Sequence, residues 1–173
     1  GAFEQIDGIL TYAIDPSAEA NESIIDLELA PRDEDGRIRF IGDLSLVSPI
    51  DAARGNRRLL VELPNRGRRR VVPMFNRDPG QEPSASASPG DGFLFRHGYS
   101  VASVGWQWDI YRSDAMLGIE APLAQIDGER VTGQTVVEIR PNGPHRTHLL
   151  ADRIHRPLPA TDTDQPDAVL LVR

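Results

Sequence analysis

The chain has 173 residues with a formal net charge of -7, and all nineteen of its basic residues are arginine. So acidic a balance excludes general nucleic-acid affinity, which depends on basic surface that displaces condensed counterions. Cysteine is absent, which excludes disulfides and thiolate chemistry, and the sequence has no run of roughly 18 to 20 apolar residues of the kind a membrane helix requires.

The length suits one domain, and 14 prolines with 15 glycines point to short elements and many turns. FEQIDGILTYA, from Phe3, reads as a strand with a bulge or bend at Gly8. Asp15-Pro16 opens a turn that fails as a helix by Asn21. Ile24–Leu29 and Arg37–Val47 read as two strands of an antiparallel hairpin around the acidic RDEDG turn, and Asp51 with Gly55 brackets a compact connection.

LLVELPNRGRRR, residues 59 to 70, is the centre of the expected arrangement. Its nearly unbroken apolar run predicts a strand buried on both faces, stopped by Pro64, with the N–H groups of Asn65, Arg66 and Gly67 free beyond it. Residues 78 to 91, rich in Pro, Ser, Ala and Gly, read as a mobile surface loop. Asp91 caps a short helix over GFLFRH, and YSVASVGW, residues 99 to 106, follows as a buried strand. Strand, loop, short helix and strand predict a parallel pair with a right-handed crossover. Beyond Trp106, MLGIEAPLA, RVTGQTVVEIR after an Asp127-Gly128 turn, and the closing DAVLLVR read as further strands, and an apolar strand at the terminus suggests a natural chain that continues.

Four blocks, DLELAPR at 26 to 32, LLVELPNRGRR at 59 to 69, GDGFLFRHGYSVASVGWQWD at 90 to 109 and DAVLLVR, resemble the amino-terminal part of the bacterial alpha/beta hydrolase domain-containing proteins. The expected fold class is therefore α/β with a high strand content, as a single incomplete domain. In it, 1 to 56 are antiparallel entry strands, 57 to 108 start an α/β-hydrolase-like sheet, and 109 to 173 form a β-rich insertion with a final strand. The resemblance implies a serine ester hydrolase whose nucleophile elbow, acid and histidine lie outside this stretch. It implies no cofactor, an ester as small-molecule substrate, and the remainder of the hydrolase domain as partner, with neither nucleic acid nor membrane. A soluble protein, in the bacterial cytoplasm or secreted after signal removal, fits both.

Within that expectation the backbone N–H groups of Asn65, Arg66 and Gly67 form an oxyanion loop, where one donor contributes about 3 to 4 kcal/mol in other hydrolases. Trp106, Gln107 and Trp108 line a substrate pocket, or else the two rings pack into the core at a strand end. Other features weigh less. Gly98-Tyr99-Ser100-Val101-Ala102 matches a relaxed elbow but has its strand after the serine. His145, His148, Asp152 and His155 share a helical face only if the proline-flanked segment is a helix. Seven arginines from Arg54 to Arg70 offer an anion site or a solvated edge paired with Asp33, Glu34 and Asp35. The competing function is a non-catalytic β-rich module that binds a carbohydrate or protein through Trp106, Trp108 and the arginine loop.

Overall fold

The computed structural model describes residues 1 to 78 and 84 to 139, together with 143, 144, 147, 148, 155, 156, 160, 161, 168, 169 and 171. Its centre is a sheet whose strands are β1 (Phe3–Ile14), β2 (Ile38–Pro49), β3 (Leu59–Glu62) and β4 (Ser100–Val104), in the spatial order β1-β2-β4-β3, with α1 (Val71–Phe75) and α2 (Phe93–Arg96) between β3 and β4. A two-residue strand β5 (Ile119–Glu120) adds to β2, and β6 (Gln125–Ile126) and β7 (Glu129–Arg130) form a separate hairpin. No helix among the described residues is long and apolar enough to cross a membrane.

β1 and β2 are antiparallel in one unbroken register from Phe3↔Pro49 to Ile14↔Ile38. The register runs through Gly8↔Leu44, so Gly8 makes no bulge; with no atom within 4 Å of its missing Cβ, it simply lies on an open stretch of strand. The hairpin partner of β2 is therefore β1 rather than Ile24–Leu29, which yields only a 3-10 turn at Leu27–Leu29 after a left-handed Asp26. RDEDG still turns the chain: Asp33 accepts the N–H groups of Asp35 and Arg37 at 3.0 and 2.8 Å.

β4 joins the far side of β2 antiparallel, and β3 joins β4 parallel with Leu59↔Ser100 through Glu62↔Ser103. The parallel pair expected from residues 59 to 106 is present, but among the described residues β3 is the edge of the sheet. Leu60 and Glu62 turn inward while Leu59, Val61 and Leu63 are exposed, so a run that reads as doubly buried is buried on one face only.

The α/β-hydrolase-like architecture is not what the chain builds. Among the described residues it is strand-rich, with 30% strand against 14% helix, and its sheets are mixed and antiparallel. The two α-helices among the described residues have five and four residues, too short to layer a sheet on both faces. The reason is local. Asp91 accepts the Phe93 N–H at 2.9 Å to start α2, and Gly98, at φ +70°, ends the segment one turn later. A side chain at Gly98 would meet the Arg54 carbonyl at 2.8 Å. A strand–helix–strand order alone does not imply a helix long enough for an α/β layer.

Both helices pack on the same face of the sheet, where Val72 and Leu94 bury against Val101 with Leu60, Phe95 and Tyr99 around them. Asn76, fully buried, joins the helices: its side-chain oxygen accepts the Leu94 N–H at 2.8 Å and its carbonyl accepts the Asp91 N–H at 2.6 Å. The loop after α1 is tied down where it is described, since Gln5 brackets it by donating to the Ala85 carbonyl and accepting from the Ala87 N–H. MLGIEAPLA contributes only β5. Asp127 and Gly128, both at positive φ, make the expected turn between β6 and β7, but Val131–Ile139 forms no strand. Most of DAVLLVR lies outside the described residues.

Candidate functional site

The site forms where β3 stops. Pro64, fully buried, has no N–H for a ladder, and its carbonyl accepts the Gly67 N–H at 3.3 Å to close a 3-10 turn over Asn65–Gly67. Arg66 sits in the left-handed region at φ 56°, ψ 32°, uncommon for a residue with a Cβ, and Gly67 follows at φ +75°. A Cβ on Gly67 would stand 2.9 Å from the Leu117 carbonyl oxygen and 3.0 Å from Ile110. Glycine is required there by close backbone approach as well as by φ.

The structure brings this turn and the Trp106–Trp108 segment together. The Trp106 indole N–H donates to the Pro64 carbonyl at 3.0 Å, and the Gln107 side-chain oxygen accepts the Arg66 N–H at 2.5 Å. Leu117 N–H donates to the Gly67 carbonyl at 2.9 Å and Ile119 N–H to the Gln107 carbonyl at 3.0 Å, so the strand leading into β5 fastens both halves. Trp106 and Trp108 are 48% and 46% exposed, which rules out the alternative that both rings are core. Each instead presents an amphipathic aromatic surface, apolar on the ring with a donor at its edge.

Two further residues belong here. Asp109 accepts from the Arg66 guanidinium at 2.7 Å, and His155 Nδ1 lies 3.8 Å from the same carboxylate oxygen. His155 is placed by a bridge to Ile110 and by the Arg156 N–H, which donates to the Asp109 carbonyl at 2.7 Å. In sequence, Asp109 is visible only as the acid after the second tryptophan, and nothing in the chain signals that Leu117 or His155 would reach the loop.

As an oxyanion loop the turn is partly occupied. The Arg66 and Gly67 N–H groups both have acceptors within the chain. The Gly67 donor is consumed in the turn itself. The Arg66 donor is met by a side-chain amide oxygen, which a χ rotation of Gln107 withdraws, so it is a donor that a ligand oxygen can claim.

The remaining candidates separate. Ser100 is the first residue of β4, with its strand after it, so it occupies no elbow; the nearby Ser103 hydroxyl donates to the buried Glu62 carboxylate at 2.7 Å. His145 and Asp152 lie outside the described residues, and among the described residues no group of three ligating side chains could hold a metal ion. The arginine run is divided: Arg66 pairs with Asp109, and Arg69 donates to the Ser45 hydroxyl at 2.8 Å and the Asp114 carbonyl at 3.0 Å and stands 3.6 Å from Asp7. Asp33 and Asp35 pair with Arg39 instead.

Beside the site, Arg112 holds Asp43 on β2 through two hydrogen bonds of 2.9 and 2.6 Å, and the Gly118 N–H donates to Asp43 at 2.9 Å. Burial pushes the Asp43 carboxyl up, but the Arg112 hydrogen bonds, the Gly118 N–H and the guanidinium charge outweigh it and hold it below its ordinary 3.8. Comparison with protein-family models, curated proteins and solved structures returned no match.

Proposed function

We propose that this chain supplies the oxyanion donor and aromatic wall of an ester-hydrolysing site whose serine nucleophile and histidine base come from outside the described residues. The observation that supports this most is the Arg66 N–H, set by a left-handed backbone and aimed at an oxygen 2.5 Å away on the segment that also carries Trp106 and Trp108. An ester carbonyl placed against the rings would put its oxygen where the Gln107 oxygen now sits, and developing negative charge would strengthen that hydrogen bond more than the ground state does. No cofactor enters such a reaction.

The test is turnover of p-nitrophenyl esters of graded acyl length by the protein carrying this chain, with Trp106→Ala and Trp108→Ala beside it. Hydrolysis that depends on acyl length, with KM raised in the tryptophan variants, is expected. Absence of turnover on every ester removes the proposal.

A second reading, a carbohydrate- or protein-binding module, is favoured by the half exposure of both tryptophans beside a loop whose Arg66 and Gly67 donors are already met. Tryptophan fluorescence titrated with oligosaccharides separates the two: saturable quenching by a glycan with no ester turnover selects the module.

A further inference from the structure

Arginine is a strained choice for the middle of the Asn65–Gly67 turn. At φ 56°, ψ 32° the Cβ of Arg66 crowds the backbone, and glycine or asparagine adopts that conformation with less strain. The turn's own hydrogen bonds enforce it weakly: Gly67 N–H to the Pro64 carbonyl is 3.3 Å and Arg68 N–H to the Asn65 carbonyl is 3.4 Å, longer than the usual range of about 2.7 to 3.2 Å. What arginine brings and glycine lacks is a side chain, and its guanidinium donates to Asp109 at 2.7 Å. We infer that Asp109 is a positioning residue, whose carboxylate grips the Arg66 guanidinium and so holds residue 66 in the left-handed backbone that aims its N–H. The clamp rests on this geometry, and its meaning for turnover rests on the ester-hydrolysing reading given above.

Three observations carry the assignment. Gln107 and Asp109, two apart beyond β4, both reach Arg66, one at its backbone N–H and the other at its side chain, so a single length of chain holds it at two points. The carboxylate is itself anchored. The Asp109 carbonyl accepts the Arg156 N–H at 2.7 Å, and the next residue, Ile110, is 2% exposed and lies where a Cβ on Gly67 would stand 3.0 Å from it. The pair is also sheltered: its side chains are 31% and 22% exposed, so this charge-assisted bond is screened less than one in open solvent. His155 Nδ1, 3.8 Å from the same carboxylate oxygen, is too distant for a hydrogen bond and leaves the grip on Arg66 intact.

A double-mutant cycle on the full chain tests the inference, read by hydrogen exchange of the amide at position 66 in ¹⁵N-edited spectra, with the β2 amides as the gauge of global stability. Asp109→Asn, which removes the charge at nearly constant size, should quicken that exchange fivefold or more while the β2 amides hold. Arg66→Gln breaks the clamp from the other side and should do the same. Arg66→Gly suits the positive φ without a clamp, so adding Asp109→Asn to it should change exchange less than twofold. An amide at position 66 that exchanges as in the wild type in both single variants overturns the inference. Equal acceleration by Asp109→Asn with and without the arginine overturns it as well, since Asp109 then supports the fold at large. Where p-nitrophenyl esters are turned over, Asp109→Asn should lower kcat fivefold or more with KM within twofold, and an unchanged kcat overturns the role in turnover. Exchange needs no substrate, so the absence of ester turnover removes the hydrolase reading alone, and the cycle still decides on Asp109.

Discussion

The side-chain oxygen of Gln107 accepts the backbone N–H of Arg66 at 2.5 Å, joining the end of one parallel strand to the segment beyond its neighbour. This single contact sets whether the loop's donor is free or covered. Gln107→Ala should move the Arg66 amide proton upfield and quicken its exchange with solvent, and should cost about 1 kcal/mol of stability, the net worth of one hydrogen bond. A ¹⁵N-edited spectrum and a urea melt read both effects. An Arg66 amide unchanged in the variant means that the contact does not hold the donor.

Gly67→Ala should destabilise the chain by about 2 to 3 kcal/mol, because the added Cβ meets the Leu117 backbone on one side and Ile110 on another while φ stays positive. Thermal denaturation measures it. The same geometry means that lost turnover in a valine variant at this position reports on folding as well as on chemistry, so turnover has to be compared at temperatures where the variant is fully folded.

Acid stability should pass through Asp43. Its folded pKa lies below its ordinary value, so its contribution is complete above the unfolded pKa of about 3.9 and declines as the pH falls through the lower folded value. Asp15, held down by the Ser17 hydroxyl and N–H, and Asp33, held down mainly by the Arg37 N–H, act in the same direction. Asp43→Asn is expected to lose about 2 to 3 kcal/mol at pH 7 and to flatten the fall in stability below pH 4. Urea midpoints at pH 7, 5 and 3.5 test this; equal losses at all three values leave Asp43 without the assigned role.

Glu62 is a buried carboxylate with three donors: the N–H groups of Arg70 and Val71 at 2.5 and 3.1 Å, and the Ser103 hydroxyl at 2.7 Å. Replacement by leucine keeps bulk but strips the acceptor from the first turn of α1 and from Ser103, and should cost about 3 kcal/mol. Glutamine retains an acceptor for the helix and lets the Ser103 hydroxyl rotate to accept, so about 1 kcal/mol is expected. Chemical denaturation of the pair distinguishes hydrogen bonding from volume, and equal losses would contradict the account.

What could be read in the sequence divides along range. Short-range chemistry was legible: Pro64 ending a strand, Asp51 accepting the Ala53 N–H, and Asp127-Gly128 turning a hairpin, whereas Asp91, read as the cap of α2, stands one residue before the actual N-cap Gly92 and accepts the Phe93 N–H from there. Pairings between distant segments were not. Periodicity marks Ile24–Leu29 as a strand as readily as it marks β2, and only competition for the same edge shows that β1 takes the place. The apolar run at residues 59 to 63 signals a strand but not its position, so it reads as central where the sheet makes it an edge. The site was legible in its two halves, Asn65–Gly67 and Trp106–Trp108. The bonds that unite them, from Gln107, Trp106 and Leu117, depend on the parallel register of β3 with β4, which no local pattern encodes.

That register is short. β1 and β2 are locked through twelve residue pairs, whereas β3 meets the sheet through four and, among the described residues, has a neighbour on one side only. Thermal fluctuation therefore releases β3 before it opens the hairpin, and the Asn65–Gly67 turn leaves with it. Amides of β2 should outlast those of β3 in deuterium, and below the temperature of global melting there is a range in which the chain keeps its scaffold while the donor at Arg66 is already lost.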